Sequence, residues 1–253
     1  MMGKVIMSGI VPPLEYTAPI KGILASDLAV GSVVKLMEGG VATEYLVVNQ
    51  GKPSGSSLYD DSCDGLWLLR KYIKENGIWN STNENDYAGS TIHNYLNSTF
   101  FSLLGNNEQD AINQVKIPYR PGSGTATTIN RGAKGLSTKV FLLSSTEVGF
   151  TGILNNEGAV LSYFLGCSNT GSDDKRIAYL NATANPWWLR TPGKTGVEYA
   201  ILVWSDGNYT NHFCSGSTSG PGGNTYPYGI RPALVLPPNA LFDKETLILK
   251  GVK

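Results

Sequence analysis

Short apolar runs alternate along this chain with breaks made of glycine, proline, asparagine and serine. Residues 32–37 predict a strand, Gly39 and Gly40 tolerate the positive φ of a tight hairpin, and residues 43–49 predict the returning strand. Residues 66–72 are too short a run for periodicity to separate strand from buried helix, and we read them as a strand. The period changes at residues 91–104. There Ile92, Tyr95, Leu96, Thr99 and Leu103 recur at helical spacing, with Ser90 placed to cap the start and Gly105 to stop the end. A second, shorter helix is expected from Glu108 to about Val115, capped by Asn106 or Asn107. Residues 139–144 read as a core strand, 149–175 as irregular chain, 176–180 as a brief strand or turn, and 246–250 as a terminal strand.

One stretch stands apart. Trp187-Trp188-Leu189-Arg190-Thr191-Pro192 and Tyr228-Gly229-Ile230-Arg231-Pro232-Ala233-Leu234-Val235-Leu236 both read as buried strands anchored by aromatic, aliphatic and arginine side chains. Residues 205–228 between them are built from Ser, Thr, Gly, Asn, Tyr, Pro, Asp, His, Phe and Cys, the mixture that binding loops favour. Two adjacent tryptophans on a strand face opposite ways, so they cannot form one stacking platform and at least one belongs to the core. Arg190 and Arg231 suit structural anchoring near strand ends.

Composition sharpens this picture. Charged residues make up only 16% of the 253, glycine reaches 30, and the formal net charge is zero with no basic run. Strands and elaborate loops fit such a chain better than helices, and binding driven by nucleic-acid phosphates does not. No repeat, low-complexity linker or domain boundary is visible, so a single mixed α+β domain over residues 22–253 is expected. Residues 1–21, which carry Pro12, Pro13 and Pro19, read either as an extended arm for attachment to a larger assembly or as a disordered terminus. The start lacks a recognisable signal peptide and no segment is long enough to span a bilayer, so neither secretion nor membrane insertion is expected.

Catalytic sets are mostly absent. His93 and His212 are the only near-neutral bases, and neither lies in a nucleophile elbow, a zinc-protease pair or a phosphate loop. His93 suits a structural role on its helix, and His212 a contact role. Asp60, Ser62, Asp64 and Gly65 match half of a calcium loop, but Lys71 occupies the position that needs a bidentate glutamate, so an Asx turn is the expected structure. Cys63, Cys167 and Cys214 are too few and too widely spaced for a disulfide framework or a zinc site, and three buried free thiols are expected ahead of the alternative of a single bridge.

These residues carry a resemblance. Trp187-Trp188-Leu189-Arg190-Thr191-Pro192, then Val203-Trp204-Ser205-Asp206-Gly207-Asn208, then Gly229-Ile230-Arg231-Pro232-Ala233-Leu234 resembles bacterial and bacteriophage proteins of C-type-lectin-like fold. The hairpin near Val33 to Val48 and the helix after Ser90 look like the first half of that family, so the resemblance covers most of residues 25–237. It includes the variable proteins of diversity-generating retroelements, found in phage tails and bacterial surface proteins. There, mutagenised asparagine codons reach every residue except Lys, Glu, Gln, Met and Trp, and residues 205–228 contain none of those five. The triplets of calcium-dependent sugar-binding lectins are missing, so calcium-mediated carbohydrate binding is not carried over. Formylglycine-generating enzymes share the fold, but Cys214 has no sequence neighbour to complete their copper-binding pair.

The resemblance thus implies a C-type-lectin-like α+β domain with two helices, a small mixed or antiparallel sheet and long irregular loops. It implies a non-enzymatic receptor-binding protein, either hypervariable or a fixed relative of the variable proteins, with no cofactor or metal. The protein so implied is phage-encoded, made in the bacterial cytoplasm and tail-associated or at the cell surface, with virion or homo-oligomer contacts through residues 1–21. The implied ligand is a host-surface protein or glycan. The contact residues expected are Trp204, Asp206, Asn208, Tyr209, Asn211, His212, Ser215, Ser217, Thr218, Asn224, Tyr226 and Tyr228. The alternatives are a structural virion or surface protein packing the same loops against a neighbouring subunit and, further off, an enzyme of the formylglycine-generating kind.

Overall fold

A computed structural model describes residues 22–54, 57–82, 84–122, 128–153, 157–193, 196–215 and 227–253. The architecture is α+β and mostly strand. Two five-stranded sheets carry it, so the single small sheet expected from sequence is replaced by two larger ones. In the first, Val33–Glu38, Val41–Gln50, Leu66–Arg70, Ala233–Leu236 and Val140–Phe141 pair antiparallel in that spatial order. The Gly39–Gly40 turn has φ of 56° and 82°, so both central residues need the left-handed region that glycine enters without strain. The second sheet runs Tyr209–Phe213, Tyr199–Val203, Trp187–Pro192, Tyr228–Ile230 and Glu75–Gly77. It is mixed, because Trp187–Pro192 runs parallel to Tyr228–Ile230.

The central strands of both sheets are buried on both faces, and exposure is confined to the edge strands and strand ends. Leu66, Leu68, Leu234, Trp188 and Leu202 enter one core, while Trp67, Leu69, Val235, Trp187 and Val203 enter the other. Strands buried on both sides lose the alternation of apolar and polar positions, which is why the runs in the sequence are continuous. Both tryptophans are fully buried, on opposite sides of their sheet. Trp187 donates its indole N–H to the Arg176 carbonyl (2.9 Å) and Trp188 to the Gly77 carbonyl (2.8 Å).

The main helix covers the first core. Ser90 caps it, its hydroxyl accepting from the His93 N–H at 3.2 Å. The helix is α over Thr91–Tyr95, opens into one π turn at Leu96–Phe100 and closes as Phe101–Leu103. That wide turn moves the buried face to Ile92, Leu96, Phe100 and Leu104, and leaves Thr99 and Leu103 exposed, contrary to the spacing read from sequence. Gly105 is not the left-handed stop expected. Its φ is −63°, and it is instead the N-cap position of Asn106–Ala111, which begins and ends earlier than the predicted second helix. Val115 belongs to the strand Val115–Ile117.

Other expectations shift by a few residues. Only Val140–Phe141 of the 139–144 run pairs, 176–180 splits into a turn and Tyr179–Leu180, and the terminal strand is Leu249–Val252. The Asp60 carboxylate accepts from the Ser62 N–H (3.1 Å), an Asx turn, while Asp61 pairs with Lys52 at 2.6 Å and Asp64 accepts from the Lys52 N–H. The proposed arm, residues 1–21, lies outside the described residues.

Candidate functional site: a recess at the sheet edge

Tyr199–Val203 and Tyr209–Phe213 form a hairpin that places the edge strand of the second sheet, a pairing not read from the sequence. Register decides which face each side chain takes, because cross-strand partners share a face. Thr210 lies opposite Leu202, and His212 opposite Ala200, so both face the first core. Tyr209 and Asn211 lie opposite Val203 and Ile201, residues of the second core.

The hairpin turn is held from behind. Trp204 and Asn208 close it with an N–H to carbonyl bond of 2.6 Å, and Gly207 sits at φ 79°. The Asp206 carboxylate accepts from the Asn208 N–H (2.9 Å) and from the Ser172 hydroxyl (3.0 Å), and Asn208 accepts from the Tyr209 N–H. A side chain on Gly207 would strike the Asp173 carbonyl, so the turn lies directly on the neighbouring segment. Arg176, fully buried, supplies the strongest tie. Its guanidinium donates to the carbonyls of Gly207 (2.8 Å), Val148 (3.2 Å), Ser168 (2.9 Å) and Gly171 (2.5 Å), and stacks 3.8 Å over the Phe150 ring.

In front of this turn is a recess of ≈ 320 Å³ lined by Trp204, Asp206, Asn208, Tyr209, Thr210, His212 and Tyr228. Six of the expected contact residues therefore meet at one place; Thr210 joins them and was missed because only the register puts it beside His212. The Tyr228 ring stands at the centre of the aromatic wall, 5.2 Å from Trp188, 6.0 Å from Trp204 and 4.8 Å from His212, edge-on in each case. Tyr209 leans instead on Phe150, 5.3 Å away. Burial lowers the His212 pKa from its ordinary value, keeping the ring neutral near pH 7, and its Nδ1 has no hydrogen-bond partner among the described residues. Asn211 is exposed on the opposite face of the strand and Ser215 follows the strand's end, so neither lines the recess. Ser217, Thr218, Asn224 and Tyr226 lie outside the described residues.

The other polar concentration is sealed. Arg190 grips Glu147 through two bonds of 2.6 and 2.7 Å, lies 3.6 Å from Glu157, and donates to the Leu142 and Pro118 carbonyls. Glu157 accepts from the Thr191 hydroxyl (2.5 Å) and the Arg120 N–H (3.0 Å), while burial raises its pKa against the pull of Arg190. Every member is buried and the cluster ties three loops to the Trp187–Pro192 strand, which is a structural task. Arg231 anchors similarly, donating to the Arg70 and Lys71 carbonyls over the Trp187 ring. His93 is held between the Ala88 carbonyl and the Thr138 hydroxyl, both at 3.2 Å.

The three cysteines are free. Cys63 and Cys214 are buried in different cores, and Cys167, expected to be buried, is only partly so. Burial pushes the Cys63 thiol up to about 12 and that of Cys167 up to about 11, so neither is an activated thiolate.

Fold and recess together define an α+β protein that carries an aromatic recess at the edge of a sheet whose central strands are buried on both faces. Residues 64–238 match the family model described as Domain of unknown function (DUF6273), and the chain belongs to that family. No curated protein and no solved structure matches it.

Proposed function

We propose that this chain is a non-enzymatic ligand-display protein of C-type-lectin-like fold, phage-encoded and associated with a virion or cell surface. It binds a host-surface protein or glycan through the recess before the Trp204–Asn208 turn. One observation carries this reading: residues of a polar, aromatic segment converge on a surface recess, while the strands beneath are fully buried and tied by Arg176, Arg190 and Arg231. A rigid frame under adaptable side chains is the division of labour that recognition surfaces use, since preorganised contacts lose less entropy on binding. Aromatic anchors in such a site contribute about 1–3 kcal/mol each when central. The test is binding of the labelled chain to a panel of intact bacterial strains and to a glycan array. Combined Trp204→Ala, Thr210→Ala and His212→Ala should abolish binding while the melting transition stays in place; undiminished binding by this variant defeats the proposal.

A further inference from the structure

We propose that the recess takes an alkylated ammonium group of the quaternary type, an inference that rests on the display reading and specifies its ligand. Trp204, Tyr228 and His212 surround the space with rings inclined to one another, Trp204 to Tyr228 at 62° and His212 to Tyr228 at 74°. The face of an aromatic ring carries the negative part of its quadrupole and the edge the positive part, so a soft cation is attracted by the ring faces that border the recess and not by the edges. The only charged side chain among the described lining residues is the carboxylate of Asp206. An anionic ligand would meet that carboxylate with no lysine or arginine to offset it.

Hydrogen-bond accounting selects among cations. The Asp206 oxygens already accept from the Asn208 N–H and the Ser172 hydroxyl, and the Asn208 side-chain oxygen accepts from Tyr209. A primary ammonium brings three N–H donors that need acceptors in exchange for water. A quaternary ammonium brings none, so aromatic faces and one nearby negative charge suffice. His212 fits the same ligand, because its half-buried ring has a lowered pKa, stays neutral near pH 7 and does not repel a cation. At ≈ 320 Å³ the recess falls at the lower end of the range for small-molecule sites.

Fluorescence can report binding directly. Trp204 is 41% exposed, whereas Trp67, Trp79, Trp187 and Trp188 are fully buried, so emission quenched by acrylamide comes from Trp204. Tetramethylammonium and choline should protect it, at least about tenfold more effectively than the uncharged tert-butyl isostere of choline. Asp206→Asn keeps the oxygen that caps the Asn208 N–H and should weaken choline binding about tenfold with an unchanged melting transition. Phosphatidylcholine vesicles separate sources: protection by choline alone indicates a soluble or polymer-borne headgroup, and protection by both indicates any exposed one. Equal protection by the isostere or by methyl glycosides overturns the inference, as does stronger protection by butylammonium, or none by either quaternary cation. The display reading fails separately, when the triple variant still binds cells.

Discussion

Buried guanidinium groups do at single positions what a larger apolar core would do elsewhere. Arg176 gives four backbone carbonyls their donors, among them that of Gly207 under the recess. Arg176→Met would leave those carbonyls dry and unpaired at about 1–3 kcal/mol each before relaxation. We expect a loss of at least about 3 kcal/mol in urea denaturation, with Trp204 emission shifted because its turn is released. A loss below about 1 kcal/mol would show that the turn is held by other means. Arg190→Met should cost about 3–5 kcal/mol, since it strands Glu147 and Glu157 in the interior, and adding Glu147→Gln should recover part of the loss. Independent, additive losses would contradict the pairing. The anchoring role of Arg190 was legible from an arginine inside an apolar strand. Its partners were not, because they lie 43 and 33 positions away, where no local pattern reaches.

At the scale of elements, two substitutions separate local from tertiary causes. Gly40 and Gly207 both have positive φ, yet a Cβ on Gly40 meets open space and one on Gly207 meets the Asp173 carbonyl. Gly40→Ala should therefore cost only the backbone term, about 1–2 kcal/mol. Gly207→Ala should cost more and also displace the turn, seen as increased quenching of Trp204; equal costs would refute the contact. The helix gives a second contrast. Thr99 lies on the face that helical spacing selects, but the π turn exposes it and buries Phe100 instead. Phe100→Ala should cost about 3–5 kcal/mol and Thr99→Ala no more than about 0.5 kcal/mol in denaturant melts. The reverse order would restore the regular helix read from the sequence.

For the whole molecule, burial of ionisable groups sets a pH profile with two limbs. His93 and His212 both have pKa values lowered from 6.5 by burial. Between the folded and unfolded values the unfolded chain binds more protons, so their contribution is complete above about 6.5 and is lost as pH falls through the folded values. Glu157 runs the other way: its folded pKa is raised above 4.5, so its contribution is complete below that value and declines as pH rises through the folded one. Thermal melts across pH should show Glu157→Gln flattening the decline that sets in above pH 4.5 and His93→Gln flattening the one below pH 6.5. Unchanged slopes in both variants would mean that neither group titrates differently on unfolding.

Sequence alone determined what depends on near neighbours. The glycine hairpin, the Ser90 cap, the Asp60 turn and the apolar strand runs follow from φ preferences, short-range hydrogen bonds and burial over a few residues. So does the expectation that Trp187 and Trp188 face opposite ways, since side chains alternate along any strand. The tertiary structure decided what depends on distant partners. It set the register that puts Thr210 and His212 on one face and Asn211 on the other, and the π turn that exchanged Thr99 for Phe100. It also placed Arg176 beneath Gly207, 31 positions away. A residue's type says what it can bond; only the closed chain brings the partner within reach, and the aromatic recess exists because two strands and a turn meet there.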